Sequence, residues 1–506
     1  MGICLKFRQI SPQARDRPRG LMHSDLTTLT ATELVEGYRR RDISPVDVLD
    51  ATLGNIELLN PALNVFAYLD AGSATAAARA SEARWSRGEQ AGLVDGVPTT
   101  VKDLAFARGW PRYNGSNTTP RAPTADPFDG PPVARLREHG AVLLGKTTQP
   151  EFAWKGMTDS PRFGITRNPW NLERTPGGSS GGAAAGVAAY MGPLAHGTDG
   201  SGSVRIPAAF CGLAGIKPTY GVIPQHPRAT HMGDIVHTGP IARSVSDVAL
   251  MMQAMSGADR RDWTSPPHAI RPFDDLKPAV KGLRIAYSPT LGFARVDPAI
   301  AGIVRAAVAR LVEAGALVDE VDPGFEDTRD MIDMIYKAGA ARTAYAMSDD
   351  DRARMDPKYL AFATSGLGIS GTDYVAIAKV KRDALCARMV EFHETYDLLI
   401  TPQLGITAVP ADEDASPPWY SHWFDWAPFC YPFNLTQQPA ATVPCGVAPD
   451  GLPVALQIVG PKYADQSVLN AALAAEQAIG FQPLSKEAVF RNCGVSSEGI
   501  PNHAHA

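Results

Sequence analysis

Apolar and polar positions begin to follow helical spacing near residue 26. Thr30 and Glu33 form a capping-box pattern, which predicts the start of a short helix. Ser44 and Pro45 supply an N-cap and a first-turn proline for a second helix, and apolar residues then recur every three or four positions. An alanine-rich stretch predicts a third helix at 71–86. The first part of the ordered chain is therefore expected to be mainly helical.

Further along, short apolar segments alternate with helical ones. The predicted strands and helices lie in GVPTTVK (96–102), PVARLREHGAVLLG (132–145), LRIAYS (283–288), AIAGIVRAAVARLVEAG (299–315), DLLITP (397–402) and PVALQIVG (453–460). Strands that alternate with helices are typical of a sheet covered by helices on both faces. The pattern therefore predicts an α/β fold.

No internal repeat or low-complexity linker divides the sequence, so the alternation predicts one large domain. We assign residues 1–24 to a loose N-terminal arm, 25–485 to the domain and 486–506 to a C-terminal tail. Within the domain, 323–430 is expected to be the variable part, which caps a pocket.

Composition narrows the class of ligand. The chain has 506 residues and a net charge of −5, without a run of like charges, so it lacks the electrostatic footprint of a nucleic-acid or anionic-membrane binder. The longest apolar run, 181–197, is broken by Pro193 and His196 and is too polar for a membrane span. Six scattered cysteines without metal-ligand spacing favour reduced thiols in the cytoplasm. We expect a small-molecule ligand and no metal.

The stretch TPGGSSGG (175–182) places two serines among four glycines. A phosphate-binding loop would need GxxxxGK[ST], and neither this pattern nor the dinucleotide fingerprint GxGxxG is present. A glycine-rich turn before the alanine-rich helix at 183–190 is the plain structural interpretation. However, a second glycine–serine loop, GTDGSGSVRIPA (197–208), follows shortly afterwards, and the pair favours a catalytic role.

The two loops, continued as GTDGSGSVRIPAAFCGLAGIKPTYG (197–221), resemble the signature of the amidase signature family, whose serine hydrolases use a Ser–Ser–Lys triad. The similarity continues through 140–156, 163–171, 238–247 and 431–460. It implies a single α/β/α domain around a large mixed sheet and chemistry without a cofactor. A homodimer is compatible with such an enzyme, although the sequence does not demonstrate one.

The resemblance assigns Ser203 as the nucleophile and Ser179, which lies 203 − 179 = 24 positions earlier, as the proton relay. It assigns Lys102, at the end of GVPTTVK, as the base. A lysine accepts a proton only when neutral, so the site must be buried. From the residues alone, Lys102 could instead pair with a carboxylate such as Asp103. In relatives the peptide bond before the relay serine is cis, here Gly178–Ser179.

By the same resemblance, the backbone N–H groups of Gly200, Ser201, Gly202 and Ser203 form an oxyanion hole. Ser201 departs from the usual glycine, and we interpret it as a tolerated small residue rather than one that changes the site. Supporting roles fall to Asp199 and Arg205, expected as a buried ion pair, and to Ser180. For Ser180 we favour capping of the following helix over a hydrogen bond that supports Ser179.

The aromatic segment WYSHWFDWAPFCYPF (419–433) is expected to form a pocket wall, with core packing as the alternative. The candidate wall residues are Trp419, Trp423, Trp426 and Phe429, with Trp154 and Met157 on the opposite side.

The sequence therefore predicts an amidase that hydrolyses an aryl or bulky apolar carboxylic amide through an acyl-serine intermediate. The alternatives are a carbamate or ester hydrolase of the same family, a protein like the A subunit of an amidotransferase, and an inactive binding or scaffold member. His196 offers a Ser–His alternative, but its position before the second loop favours a core histidine.

Overall fold

A computed structural model of the chain describes residues 26–120, 122–267, 270–412 and 422–495. Its strands are β1 (Phe66–Leu69), β2 (Pro98–Lys102), β3 (Val142–Thr147), β4 (Asp159–Ser160), β5 (Gly164–Ile165), β6 (Leu194–Asp199), β7 (Ala214–Lys217), β8 (His237–Ala242), β9 (Arg284–Tyr287), β10 (Leu317–Glu320), β11 (Leu398–Pro402), β12 (Ala440–Val447) and β13 (Pro453–Val459).

Eleven of these strands form one sheet in the order β1-β3-β2-β6-β8-β7-β12-β13-β11-β9-β10, and β4 pairs with β5 separately. β2 runs parallel to β3 and β6, and β9 runs parallel to β10 and β11. The remaining neighbours are antiparallel. The predicted α/β fold with a central mixed sheet is confirmed.

Helices flank this sheet. They are α1 (Ala31–Arg40), α2 (Pro45–Leu63), α3 (Ala71–Arg87), α4 (Pro131–Glu138), α5 (Gly181–Ala188), α6 (Arg205–Phe210), α7 (Val245–Met255), α8 (Pro298–Glu313), α9 (Arg329–Ala344), α10 (Asp349–Arg352), α11 (Pro357–Ser365), α12 (Gly371–Val375), α13 (Arg382–Phe392), α14 (Pro432–Leu435), α15 (Asp465–Ile479) and α16 (Lys486–Asn492). A π-helical turn, Ala376–Lys381, joins α12 to α13, and 3₁₀ turns lie at Glu151–Ala153, Thr230–Ile235 and Trp423–Trp426.

Local sequence signals account for where the first helices begin. Thr30 and Glu33 make both hydrogen bonds of the capping box at α1, and the Ser44 side chain accepts a hydrogen bond from the Val46 N–H at α2. The predicted helix starts are confirmed. α5 contains only glycine, alanine and valine, and all of its residues are buried. Such small side chains let α5 pack closely against β6 and β8 and fix the loop that precedes it.

The region 323–430 contributes to two parts of the fold. α9 and α11 pack together in a cluster that includes Trp154, Ala344 and Tyr359. β11, in contrast, is an internal strand of the large sheet. In this region, α9 and α11 therefore cover the structure next to Trp154, whereas β11 belongs to the sheet.

The packed structure extends beyond the predicted boundary at residue 485. Val489 and Phe490 of α16 are buried in a cluster with α2 and α3, so the first residues of the predicted 486–506 tail are part of the domain. This helix has only 7 residues, which is too few for a clear pattern of apolar positions in the sequence. The predicted arm at 1–24 lies outside the described residues. Among the helices that the structure describes, none has the length and apolar character needed to cross a membrane.

Candidate active site

The end of β2 and two loops meet at one cavity. Lys102 is the last residue of β2, Ser179 lies in the loop before α5, and Ser203 lies between β6 and α6. The Lys102 Nζ donates a hydrogen bond to Ser179 Oγ at 2.7 Å and another to Thr198 Oγ1 at 3.0 Å. Ser179 and Ser203 both line the cavity. The structure thus brings together the three residues predicted as a triad, and Thr198 joins them.

Lys102 is completely buried, and burial lowers the pKa of its ammonium group to about 7, although the Asp199 charge opposes this shift. Asp103 is not its partner, because that carboxylate accepts hydrogen bonds from the N–H groups of Tyr113 and Gly115, at 2.9 and 3.0 Å. The alternative of a Lys102–Asp103 pair is therefore wrong. A substantial fraction of Lys102 is neutral near pH 7 and can accept a proton.

The loop that carries Ser203 is fixed by a buried ion pair. Arg205 Nε and Nη2 each lie 3.0 Å from an Asp199 carboxylate oxygen, and neither side chain is exposed. The same carboxylate accepts hydrogen bonds from the N–H groups of Gly202 and Val204. Burial alone would raise the pKa of Asp199, but the Arg205 charge and hydrogen bonds hold it below its usual range. The expected Asp199–Arg205 pair is present and holds the backbone of the loop.

Asn434 completes this arrangement and was not among the predicted site residues. Its Nδ2 donates to the Asp199 backbone carbonyl at 2.8 Å, and its Oδ1 accepts from Arg205. Gln457 Oε1 also accepts from Arg205, at 2.7 Å. Both residues fall within the 431–460 stretch that carries the family resemblance, which was the available signal.

The predicted oxyanion hole needs one correction. The Gly202 N–H donates to Asp199 Oδ1 at 2.7 Å and is therefore occupied. Within the described part of the chain, the N–H groups of Gly200, Ser201 and Ser203 donate to no protein acceptor. Three N–H groups thus remain available in the loop where four were predicted.

Ser201 makes a contact that a glycine could not make. Its buried hydroxyl lies 2.7 Å from the hydroxyl of Tyr336 in α9. Tyr336 lines the cavity, and a Cβ added at Gly200 would come within 2.8 Å of its oxygen. The prediction of a tolerated small residue did not include this contact, through which the side chain joins the loop to a cavity wall.

Ser180 also differs from its predicted role. Its side chain makes no capping bond to α5, and instead its Oγ donates to the Thr198 carbonyl at 3.2 Å and accepts from the Thr198 N–H. The Ser180 N–H donates to the Ser203 carbonyl. The capping interpretation is wrong, because Thr198 lies close enough to satisfy the hydroxyl. Ser180 ties the first loop to the second.

The glycines of TPGGSSGG let this loop lie close to the backbone of neighbouring residues. A Cβ at Gly178 would lie 2.5 Å from the backbone oxygen of Met157, and Gly177 has a φ of +84°. The Gly178–Ser179 peptide bond is cis, as the resemblance implies. Met157, which we predicted to line the pocket, supports this loop through its backbone and lies buried in the core.

The cavity has a volume of about 830 Å³ and aromatic walls. Trp154 lines it, as predicted, and contacts Tyr359 and Phe362 of α11 at ring distances of 5.9 and 5.4 Å. The other rings come from Phe106, Phe152 and Tyr336. Apart from Trp154, these aromatic residues were missed. Their sequence signal was weak, because they lie in separate segments.

The predicted aromatic wall at 419–433 is mostly core. Trp423 packs on Phe424 at 4.0 Å and Trp426 packs near Phe210, both in a buried cluster. Phe429 is fully buried in another cluster. None of Trp423, Trp426 and Phe429 lines the described cavity, because their rings fill the space behind it. Trp419 lies outside the described residues.

His196 lies within β6 and is buried, and burial lowers its pKa to about 3. It is a neutral core histidine, as expected, and does not act as a base near neutral pH. Among the described residues, no group of three His, Cys, Asp or Glu side chains is arranged to hold a metal ion.

Known proteins are similar to this chain in sequence and in fold. The family model "Amidase" matches residues 47–469. The chain is 36% identical to an acylamidase of Rhodococcus erythropolis, over 89% of this chain and 96% of that protein. It is also 36% identical to the A subunit of a glutamyl-tRNA(Gln) amidotransferase from Acidothermus cellulolyticus, over 90% and 95%. The crystal structure of a bacterial aryl acylamidase of the amidase signature family superposes with a TM-score of 0.85 at 32% identity, covering 92% of this chain and 98% of that one.

Proposed function

The chain belongs to the amidase signature family, and from this premise we propose that it hydrolyses aryl or bulky apolar carboxylic amides through an acyl-Ser203 intermediate. One observation carries the proposal: a fully buried lysine donates to Ser179 at 2.7 Å in the same cavity as Ser203. Within the described residues, no carboxylate forms an ion pair with Lys102, and its pKa of about 7 suits a base that works through a serine hydroxyl.

In the proposed reaction, neutral Lys102 accepts the proton of Ser179 while Ser179 accepts that of Ser203, which attacks the amide carbonyl. The N–H groups of Gly200, Ser201 and Ser203 stabilise the oxyanion. Collapse of the tetrahedral intermediate returns the proton through Ser179 to the leaving amine. Water then attacks the acyl-Ser203 by the same relay and releases the acid. Apart from the substrate and this water, each step uses groups of the protein.

The cavity walls support the proposed substrate class. Six aromatic rings surround a volume of about 830 Å³, which is large enough for an aromatic amide. Flat apolar groups gain both desolvation and ring stacking in such a cavity. The similarity to an acylamidase and an aryl acylamidase supports the same class.

A second candidate comes from the relatives named as A subunits of glutamyl-tRNA(Gln) amidotransferases, because one of them is as similar in sequence as the acylamidase. A protein of that kind would be expected to favour glutamine as the amide. The aromatic lining favours the aryl amide, since glutamine would leave most of these rings without an apolar partner. Carbamates and esters can form the same acyl-enzyme and remain further candidates.

The test is release of 4-nitroaniline from a short acyl 4-nitroanilide, alongside release of ammonia from glutamine. We expect the wild-type protein and Ser365→Ala, which changes an exposed serine of α11, to hydrolyse the anilide. Ser203→Ala should hydrolyse none. Faster hydrolysis of glutamine than of any anilide would favour the second candidate, and equal anilide turnover by Ser203→Ala would refute the nucleophile.

A further inference from the structure

The cavity that contains Ser179 and Ser203 is lined by three arginines, Arg112, Arg228 and Arg342. In the part of the chain that the structure describes, no aspartate or glutamate lines it. The charged groups facing the proposed substrate are therefore all positive, which neither the aromatic walls nor the proposed reaction requires.

Two of the arginines have acidic partners behind the cavity wall. Arg112 Nε lies 3.1 Å from Asp126 Oδ1, and that aspartate is almost completely buried. Arg228 lies 3.8 Å from Asp262 and 3.9 Å from Asp234. Arg112 shares the Asp126 carboxylate with Lys146, and Arg228 lies near two carboxylates, so acidic side chains partly offset both guanidinium charges and weaken their attraction for a ligand.

Arg342 differs from both. Its side chain is exposed to the cavity and, among the described residues, makes no hydrogen bond or ion pair. His231, which also lines the cavity, has a pKa lowered by desolvation and further by the charge of Arg342, so this histidine adds no positive charge of its own near neutral pH. Arg342 thus offers an uncompensated charge at the cavity.

The position of Arg342 fits one end of an elongated substrate. It lies six residues after Tyr336 in α9, which is about 9 Å along the helix axis at about 1.5 Å per residue. Tyr336 contacts the loop of Gly200 and Ser201 where the scissile carbonyl would bind. Because Tyr336, Arg342 and Ser203 all line the same cavity, a substrate group attached several bonds from the amide can contact the guanidinium while the amide lies at Ser203.

We infer that the amide substrate carries a carboxylate, which Arg342 binds through its guanidinium group while the aromatic walls hold the rest. This inference rests on the proposed amidase function and specifies its substrate class. The planar fork of arginine matches a carboxylate with two hydrogen bonds, and such charge-assisted bonds are stronger than those between neutral groups.

The experiment compares two matched pairs of nitroanilides. In the first pair, the acyl chain of glutaryl 4-nitroanilide ends in a carboxylate, whereas that of pentanoyl 4-nitroanilide ends in a methyl group. N-acetyl-5-amino-2-nitrobenzoate and N-acetyl-3-methyl-4-nitroaniline make the same exchange on the amine. In at least one pair we expect kcat/KM of the wild-type enzyme to favour the anion about tenfold, which corresponds to about 1.4 kcal/mol, and the preference to shrink as salt is added.

Arg342→Gln should remove this preference, mainly through KM of the anion. The matched control is Lys337→Gln, which removes a positive charge of the same helix that pairs with Asp333 and does not line the cavity. It should retain the preference. Two outcomes would overturn the inference and leave the amidase function intact. One is turnover of the neutral anilides without preference for either anion, and the other is a preference for the anion that persists in Arg342→Gln. If none of the four anilides is hydrolysed, both the inference and the proposed amidase function would be overturned.

Discussion

The hydroxyl oxygens of Ser201 and Tyr336 lie 2.7 Å apart in a buried contact. Ser201 belongs to the loop that presents Ser203, whereas Tyr336 belongs to α9, which forms one wall of the cavity. A single hydrogen bond therefore joins the proposed nucleophile loop to the helix that also carries Arg342.

This contact predicts coupling between the two residues. Tyr336→Phe and Ser201→Ala each leave one buried hydroxyl without its partner, which should lower the free energy of unfolding by about 1–3 kcal/mol. The double variant should lose less than the sum of the two single losses, because the second change removes the unsatisfied group. Urea denaturation of the four proteins measures this difference. Strictly additive losses would contradict the hydrogen bond.

The lowered pKa of Lys102 predicts the pH dependence of the reaction. Protonated lysine cannot accept a proton, so kcat/KM for a neutral amide should rise with pH, reach half its maximum near pH 7 and level off above. Lys102→Arg should be inactive at every pH, because an arginine stays protonated. A profile that is flat from acidic to alkaline pH would exclude lysine as the base.

The Asp199–Arg205 pair should be important for stability as well as for the loop. Asp199→Asn leaves the fully buried Arg205 charge without its carboxylate, which is expected to cost about 3–5 kcal/mol. The control is Glu320→Gln, which breaks the Arg305–Glu320 pair, where the two side chains are 60% and 49% exposed. That change should cost less than about 1 kcal/mol. Comparable shifts in the urea midpoint for both variants would contradict a structural role for Asp199.

Substitutions of two phenylalanines, one in the cavity wall and one in the core, should have different effects. Phe362 lines the cavity and contacts Trp154, so Phe362→Ala should raise KM for an aryl anilide by about tenfold, or about 1.4 kcal/mol. Phe429 is fully buried away from the cavity, and Phe429→Ala should lower stability by about 3–5 kcal/mol with little change in KM. A higher KM for Phe429→Ala, with lower stability but little change in KM for Phe362→Ala, would instead favour the 419–433 segment as the substrate wall.

The predicted strand segments correspond to five of the eleven strands of the large sheet, and the sequence also pointed to the three residues that we propose as the reaction centre. Strands such as β2 and β13 combine apolar residues with nearby turn signals, and both lie where the pattern placed them. Lys102, Ser179 and Ser203 could be proposed because each occupies a fixed position in a short motif. Lys102 ends β2, Ser203 follows the neighbouring strand β6, and Ser179 precedes α5, which packs on both strands.

The cavity walls could not be predicted in the same way. Trp423 and Phe362 are both large aromatic residues with few polar neighbours, and only tertiary packing decides which one faces the substrate. Ser180 was misassigned because N-cap preference does not register a competing partner such as Thr198. Tyr336 is 135 positions from Ser201, so no local pattern connects them.

Mass analysis of the acyl-enzyme tests the central claim most directly. The wild-type protein, mixed briefly with 4-nitrophenyl acetate and quenched in acid, would be digested and its peptides analysed for an acetyl group. We predict acetylation of Ser203, and none of Ser179 or Lys102, with loss of the label in Ser203→Ala. Acetyl transfer to another residue during normal turnover, or turnover of the ester by Ser203→Ala, would contradict Ser203 as the nucleophile.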